Sequence, residues 1–269
     1  MRSLSLAHLT VLDVPPPALF DLAAEAGYAS VGIRTYPVAA GGVCYPLGRK
    51  EVLAWRRCMA DAGVGVHDVE FVNIAPDFRA RELEPMLVLA GELGARRLSV
   101  AGDDADITRL ADHFAELCDL AAGANLGVDL EFMRFRPVAS LPQALEVVTR
   151  AARPNGRLLI DTLHLFRSNG TPAMLAQVPA HWIGSVQLCD AVREDPGDAG
   201  IVQEAREGRL FPGEGALPLH AYLDALPPDV PIGLEVPSTR THPELDAKAR
   251  AAAAHAAASA LLASRAGPR

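Results

Sequence analysis

The repeating unit of this protein is clearest in residues 127–161, which read GVDLEFMRFRPVASLPQALEVVTRAARPNGRLLID. Two short apolar runs, 127–131 and 157–161, enclose a longer amphipathic run at 140–152. Short apolar runs bounded by Gly, Pro, Asn or Asp are typical of buried strands, whereas the longer run indicates a helix. The stretch therefore predicts a strand, a crossover helix and a second strand parallel to the first.

The same alternation continues in both directions and predicts eight strands and eight helices. The predicted strands are 4–8, 30–34, 65–71, 97–101, 127–131, 157–161, 183–189 and 231–236. The predicted helices are 16–26, 49–62, 80–93, 107–124, 140–152, 171–177, 217–225 and 244–263. Eight such units indicate a parallel sheet closed into a (β/α)₈ TIM barrel, an α/β fold forming one domain over residues 1–269. An open doubly wound sheet is the alternative, but the glycine-rich phosphate turn expected after its first strand is absent from the sequence.

The composition argues against several classes of protein. A net charge of −8 disfavours a nucleic-acid partner, because nucleic-acid binders usually present a basic face. No run of about 18 apolar residues is free of charges, so no membrane span is expected. The four cysteines are scattered without CxxC spacing, and the N-terminus lacks a long apolar segment. These features favour a cytoplasmic protein with free thiols.

Four consecutive predicted strands end in a residue that can bind a metal ion: Glu131, Asp161, Gln187 and Glu235. Each follows apolar residues that must be largely buried, and a buried carboxylate is costly unless it is paired or bound to a cation. Three carboxylates and one amide oxygen form a hard donor set, which suits one Mn²⁺ or Mg²⁺ ion. The alternative is that each acidic residue caps a helix or pairs with an arginine.

Further polar residues fall at predicted strand ends or in the loops that follow them. His164 comes three residues after Asp161 and is a candidate to orient substrate or carry a proton. His8 ends the first predicted strand, Arg34 ends the second and His67 lies within the third; all three are candidates to bind substrate.

One connection, residues 190–216, is unusually long and separates the seventh predicted strand from its helix. Long loops in compact domains are often functional, and this one is expected on the carboxyl-terminal face, where barrel enzymes place their active sites. It contains Arg206 and Arg209, and either guanidinium is suited to holding a carboxylate or phosphate by two hydrogen bonds. A solvated loop without a binding role is the alternative.

The chain resembles the xylose-isomerase-like barrel superfamily, which includes sugar and sugar-phosphate isomerases and epimerases, endonuclease IV and 3-dehydroshikimate dehydratases. The motifs that carry the resemblance are Leu130-Glu131-Phe132, Asp161-Thr162-Leu163-His164, Val186-Gln187-Leu188-Cys189-Asp190, Pro212-Gly213-Glu214-Gly215 and Leu234-Glu235-Val236-Pro237. The resemblance implies that Glu131, Asp161, Gln187 and Glu235 hold one metal ion and that His164 is the family's histidine after the aspartate. The isomerases more often have histidine where Gln187 stands, and glutamine there is similar to some dehydroshikimate dehydratases. The histidine cluster of the endonuclease is not matched.

Together these features predict a metal-dependent isomerase or epimerase that acts on a small polyhydroxylated carbonyl substrate, a class that includes anionic sugar phosphates. The metal would stabilise an enediolate as a Lewis acid, while Glu131 and Glu235 remove and return the proton. Loss of a β-hydroxyl from the same intermediate would make the protein a dehydratase, which is the first alternative. A non-catalytic sugar-binding barrel is the second. A homo-oligomer is compatible with the sequence.

Overall fold

The fold is a closed barrel of eight parallel strands, in which each strand pairs with the next along the chain and the eighth pairs with the first. The computed structural model describes residues 3–38 and 41–264. The strands are β1 (Leu4–Leu6), β2 (Ser30–Arg34), β3 (Gly65–Ile74), β4 (Arg97–Gly102), β5 (Gly127–Glu131), β6 (Gly156–Asp161), β7 (Ile183–Leu188) and β8 (Ile232–Leu234). This topology confirms the predicted (β/α)₈ barrel.

The helices surround the barrel and follow the strands in order. They are α1 (Pro16–Ala26), α2 (Arg49–Ala62), α3 (Glu84–Leu93), α4 (Ile107–Gly123), α5 (Leu141–Ala151), α6 (Thr162–Arg167), α7 (Pro172–Leu175), α8 (Gly197–Glu207), α9 (Leu219–Asp224) and α10 (Ala247–Ser264). Short 3₁₀ helices span His8–Val11, Ala80–Leu83 and Ala180–Trp182. In the part of the chain that the structure describes, no helix combines the length and apolar character needed to cross a bilayer.

Two helices near the carboxyl-terminal face differ from the prediction. A six-residue helix, α6, begins directly after β6 because the Asp161 side chain accepts a hydrogen bond from the His164 backbone N–H. The long connection 190–216 is not a simple loop, since it contains α8. The prediction missed α6 because six residues are too few to show helical periodicity. It missed α8 because the Asp-Pro-Gly-Asp sequence at 195–198 is typical of a turn.

The barrel interior is polar below the strand ends, unlike its aliphatic outer layer. Outward-facing residues such as Val128 and Leu130 are fully buried under the helices. Inside, Ser99 Oγ donates a hydrogen bond to Asp68 Oδ2 at 2.8 Å, and Ser185 Oγ donates to Asp129 Oδ2 at 2.6 Å. The side chains therefore alternate between an apolar outer face and a hydrogen-bonded interior.

Candidate metal centre and active site

Three of the four predicted ligands, Glu131, Gln187 and Glu235, line a cavity of about 340 Å³ at the carboxyl-terminal ends of the strands, and Asp161 lies next to them. One carboxylate oxygen from each of Glu131, Asp161 and Glu235 lies within 4.8 Å of the others. Gln187 joins them because its Nε2 donates a hydrogen bond to Glu235 Oε1 at 3.1 Å. All four residues are at least nine-tenths buried. Successive strands bring them together, since Asp161 is in register with Gln187 on the neighbouring strand.

Two oxygens at this site have no hydrogen-bond partner among the described residues: Glu131 Oε1 and Gln187 Oε1. Buried polar atoms are almost always satisfied by a protein group, water or a ligand. Both atoms are acceptors, so the group that would satisfy them must be a cation or a donor. The oxygen-only donor set fits a hard divalent ion, which Glu131, Asp161, Gln187 and Glu235 would hold.

Arg209 compensates much of the negative charge at this site. Its guanidinium is almost fully buried, with Nη1 2.6 Å from Asp161 Oδ2 and Nη2 2.8 Å from Glu235 Oε2. Its Nε donates to the Ala205 backbone carbonyl, which attaches the guanidinium to the end of α8. Arg209 lines the cavity, but its guanidinium is paired with the carboxylates of Asp161 and Glu235. The sequence instead predicted that it would bind a carboxylate or phosphate of the substrate.

The three carboxyl groups have different proton affinities. Burial, together with the nearby charges of Glu235 and Asp161, raises the pKa of Glu131 well above its ordinary value. Burial also raises the pKa of Glu235, to about 7, although Arg209 opposes the shift. For Asp161, burial is outweighed by Arg209 and by hydrogen bonding, so its pKa is lowered. Without a cation, Asp161 therefore ionises most readily of the three, and Glu131 keeps its proton to a higher pH than an ordinary glutamate.

His164 lies beside this group, as its position in the sequence predicted. Its Nε2 is 3.7 Å from Glu131 Oε1, and its ring packs edge-on against Phe135. Burial lowers the pKa of His164 to about 4, so the imidazole is neutral at physiological pH. A neutral ring nitrogen close to Glu131 can accept or relay a proton.

A second polar cluster lies on the opposite side of the cavity. Arg34 Nη2 is 2.6 Å from Glu70 Oε2, and both residues line the cavity. His8 supports them from behind, because its Nδ1 accepts from the Arg34 backbone N–H and its own backbone N–H donates to Glu70 Oε1. His8 is thus a neighbour of the cavity wall and lies in a 3₁₀ helix, not in the predicted strand.

Glu70 is the functional candidate that sequence reasoning left out. Regular alternation could not assign its side chain to one face of β3, and the structure shows why. The pairing of β3 with β4 shifts register between Glu70 and Val72, so the alternation is interrupted at Phe71. No local signal in the sequence indicates Glu70, because its place follows from its register with Arg34 at the end of the adjacent strand.

The remaining predicted substrate-binding residues, Arg206 and His67, lie in different places. Arg206 is exposed and lines the cavity rim. His67 lies near the start of β3 and lines a different cavity at the amino-terminal end of the barrel, so the structure does not bring it to the candidate metal site. The sequence did not indicate the loop after β5, which contributes Met133, Phe135 and Arg136 to the wall.

Comparisons with known proteins agree with the barrel fold. The model of the xylose isomerase-like TIM barrel family matches residues 20–259. A 117-residue segment, 42% of the chain, is 32% identical to 3-dehydroshikimate dehydratase of Pseudomonas aeruginosa and covers 18% of that protein. A 117-residue segment, 43% of the chain, is 30% identical to inosose isomerase of Bacillus subtilis and covers 40% of it.

A solved structure of IOLI protein with a bound zinc atom has the same fold. It superposes with a TM-score of 0.81 over 98% of this chain and 99% of that one, at 19% identity. The two sequence relatives are named as enzymes, and the match spans less than half of the length of each. The family match extends over most of the chain and includes all four residues of the candidate metal centre. The chain therefore belongs to the xylose isomerase-like TIM barrel family.

Proposed function

We propose that this protein is an isomerase or epimerase that depends on Mn²⁺ or Mg²⁺ and moves a proton next to a carbonyl of a small polyhydroxylated substrate. The observation that carries the proposal is the pair of unpartnered oxygens, Glu131 Oε1 and Gln187 Oε1, beside the carboxylates of Asp161 and Glu235. One hard divalent cation would satisfy both oxygens and offset the excess of negative charge. The absence of sulfur and imidazole from this donor set favours Mn²⁺ or Mg²⁺.

The residues of the chain supply the proton transfer. A divalent ion held by these four side chains would supply Lewis-acid stabilisation of negative charge on a substrate oxygen. Glu131 and Glu235 end β5 and follow β8, so they reach the cavity from different sides of the barrel. As a carboxylate, one takes the proton from the carbon next to the carbonyl, and the other, protonated, returns a proton. Return to the opposite face of that carbon is epimerisation, and return to the neighbouring carbon is isomerisation.

The cavity suits a compact substrate with a polar and an apolar side. Its volume of about 340 Å³ is at the small end for ligand pockets. Leu12, Phe71 and Met133 form an apolar wall, whereas the carboxylates lie at the strand ends. Arg206 at the rim offers a guanidinium group for an anionic substituent, whereas Arg136 in the wall is already paired with Asp103 at 3.0 Å.

A dehydratase of the 3-dehydroshikimate type is the second candidate. It is favoured by Gln187, which stands where the isomerases more often have histidine, and by the 32% identity to the Pseudomonas enzyme over part of the chain. The first proton removal would be the same. The difference lies in the next step, in which a β-hydroxyl leaves as water after accepting a proton from an acid in the site.

Deuterium incorporation tests the proposal. Metal-stripped protein is reloaded with Mn²⁺ or Mg²⁺ and incubated in D₂O with inosose, a panel of ketoses and 3-dehydroshikimate. We expect metal-dependent deuterium exchange next to the carbonyl of at least one sugar or cyclitol. Conversion of 3-dehydroshikimate with loss of one water, detected by mass spectrometry, would instead support the dehydratase.

A matched pair of variants identifies the site of this activity. Glu131→Gln removes one proton-transferring group at the cavity, whereas Glu146→Gln makes the same change on the exposed side of α5. Exchange should be lost in the first variant and kept in the second. If the metal-loaded protein binds sugars but exchanges a proton with none of the substrates tested, the enzyme assignment is contradicted. That result would favour the sugar-binding alternative.

A further inference from the structure

A second cavity opens at the amino-terminal end of the barrel, among the first residues of the strands and away from the candidate metal centre. Its volume is about 850 Å³. Its wall contains three arginines, Arg96, Arg97 and Arg157, together with His67. In a chain with a net charge of −8, three guanidinium groups at one mouth form a local concentration of positive charge.

Within residues 3–38 and 41–264, two of these arginines have no acidic partner. Arg97 is neutralised by Asp129, since its Nε donates to Asp129 Oδ2 at 2.9 Å and its Nη2 contacts Asp129 Oδ1. Among the described residues, no carboxylate forms an ion pair with Arg96 or Arg157. The cavity wall contains one further acidic residue, Asp229, which is exposed. The mouth therefore keeps an excess of positive charge.

Three buried polar atoms of residues that line this cavity lack a hydrogen-bond partner within the described ranges: Ser5 Oγ, His67 Nε2 and Arg157 Nε. Ser5 itself is only 5% exposed. Burial and the neighbouring arginines lower the pKa of His67 to about 4, so its ring adds a hydrogen bond and no charge. Buried donors in this state call for acceptors from water or a ligand.

Two glycines make room for the guanidinium of Arg97. A Cβ atom at Gly127 would overlap Arg97 Nη1, and one at Gly184 would overlap both Asp129 Oδ1 and Arg97 Nη2. Gly127 is in register with Arg97 on the neighbouring strand. Small residues on two strands thus allow a charged planar group to lie inside the mouth of the barrel, where larger side chains would exclude it.

We propose that this amino-terminal mouth is a second binding site, which recognises the phosphate group of inorganic phosphate or of a small phosphate monoester. A guanidinium group can bind two phosphate oxygens at once, and no carboxylate of the described residues pairs with Arg96 or Arg157. A phosphate has more acceptor oxygens than a carboxylate. This number suits a site where the Ser5 hydroxyl and Arg157 Nε both lack an acceptor among the described residues. The space beyond one phosphate admits the organic part of an ester.

Titration calorimetry tests this site with inorganic phosphate and glycerol 3-phosphate as probes. We expect saturable binding of one anion at this site to the full-length protein. Arg157→Gln and, separately, the exposed Arg96→Gln should each weaken that binding about tenfold or more, the loss of one charge-assisted hydrogen bond. The exposed Arg57→Gln on α2, outside the cavity, makes the same charge change and should leave the affinity unchanged.

Further arms of the experiment can overturn the assignment. Binding that is lost in Arg206→Gln and kept in both Arg96→Gln and Arg157→Gln would place the anion at the other cavity. No binding of either probe by folded wild-type protein would reject the site. Citrate that binds tighter than both phosphates, with the same dependence on Arg96 and Arg157, would reject phosphate as the recognised group. Circular dichroism of each variant confirms that it is folded, and the exposed position of Arg96 makes that variant the safer test.

Discussion

Gln187 differs from the other three groups of the candidate metal centre because it has no proton to exchange near neutral pH. Its amide donates to Glu235 and leaves its oxygen without a partner among the described residues. In the proposed function, Gln187 would therefore act as a neutral ligand and as a support for Glu235. Glu131 and Glu235 remain the residues that can both bind a cation and transfer a proton.

We therefore expect Gln187→His to keep part of the activity and Gln187→Leu to lose it. Imidazole is also a neutral ligand, whereas leucine offers no donor atom and leaves Glu235 without its hydrogen bond. Metal affinity by calorimetry and proton exchange in D₂O should fall together in Gln187→Leu. Equal metal affinity in the leucine and histidine variants would show that Gln187 is not a ligand.

Glu235→Gln separates binding from proton transfer. Its amide oxygen can still face Arg209 and a cation, but the side chain can no longer exchange a proton. Turnover should fall by about 10²-fold or more, the usual scale of general acid–base catalysis, while the metal stays bound. If the variant binds metal and exchanges the substrate proton at the wild-type rate, Glu235 is a ligand alone and the two-glutamate mechanism is wrong.

Helix α8 attaches the long connection, residues 190–216, to the candidate metal centre. It ends two residues before Arg209, and a buried ion pair joins it to α6, with Arg167 Nη2 2.6 Å from Glu204 Oε1. At the beginning of α8, Asp198 forms an exposed ion pair with Arg134, which also pairs with Asp195. Since α6 follows Asp161 directly, the two helices fix both partners of the Asp161–Arg209 contact.

The buried pair should matter far more to stability than the exposed one. Arg167→Ala leaves Glu204 buried without its partner, so we expect a loss of about 3–5 kcal/mol in the free energy of unfolding. Arg134→Ala at the exposed pair should cost about 1 kcal/mol or less. Urea unfolding of both variants measures the difference, and equal losses would mean that α8 is not anchored through Glu204.

For the molecule as a whole, the strand order and the four-residue centre could be predicted because both rest on repetition. Eight apolar runs and four polar strand ends recur along the chain, and this repetition indicates the barrel and its site although no single residue would. What could not be predicted depends on contacts between distant residues. The pairing of Arg209 with Asp161 depends on how the connection after α8 packs against the barrel, and the register shift at Glu70 depends on how strands align; local spacing specifies neither. The place of His67 at the amino-terminal mouth follows from its position near the start of β3.

The polar interior of the barrel should make stability depend on pH through Asp68. Burial and the charge of Glu70 raise the pKa of Asp68 to about 7, although the Ser99 hydrogen bond opposes the shift. An unfolded aspartate titrates near about 4, so the folded state binds the proton more tightly. Protonation of Asp68 therefore stabilises the folded state fully below about pH 4, and this contribution is lost as the pH rises through about 7. A shift of this size corresponds to at most about 4 kcal/mol.

Asp68→Asn keeps an acceptor for Ser99 and removes the titration. The variant should therefore gain stability relative to wild type as pH rises from 5 to 8, measured as the difference in free energy of unfolding at each pH. Carboxyl groups distant from Asp68 contribute equally to both proteins, so the difference reports Asp68 together with its interaction with Glu70. The exposed Asp77→Asn should follow the wild-type curve. A constant difference between Asp68→Asn and wild type across this range would show that Asp68 is already ionised in the folded barrel and that its burial is compensated by Arg34 and Arg97.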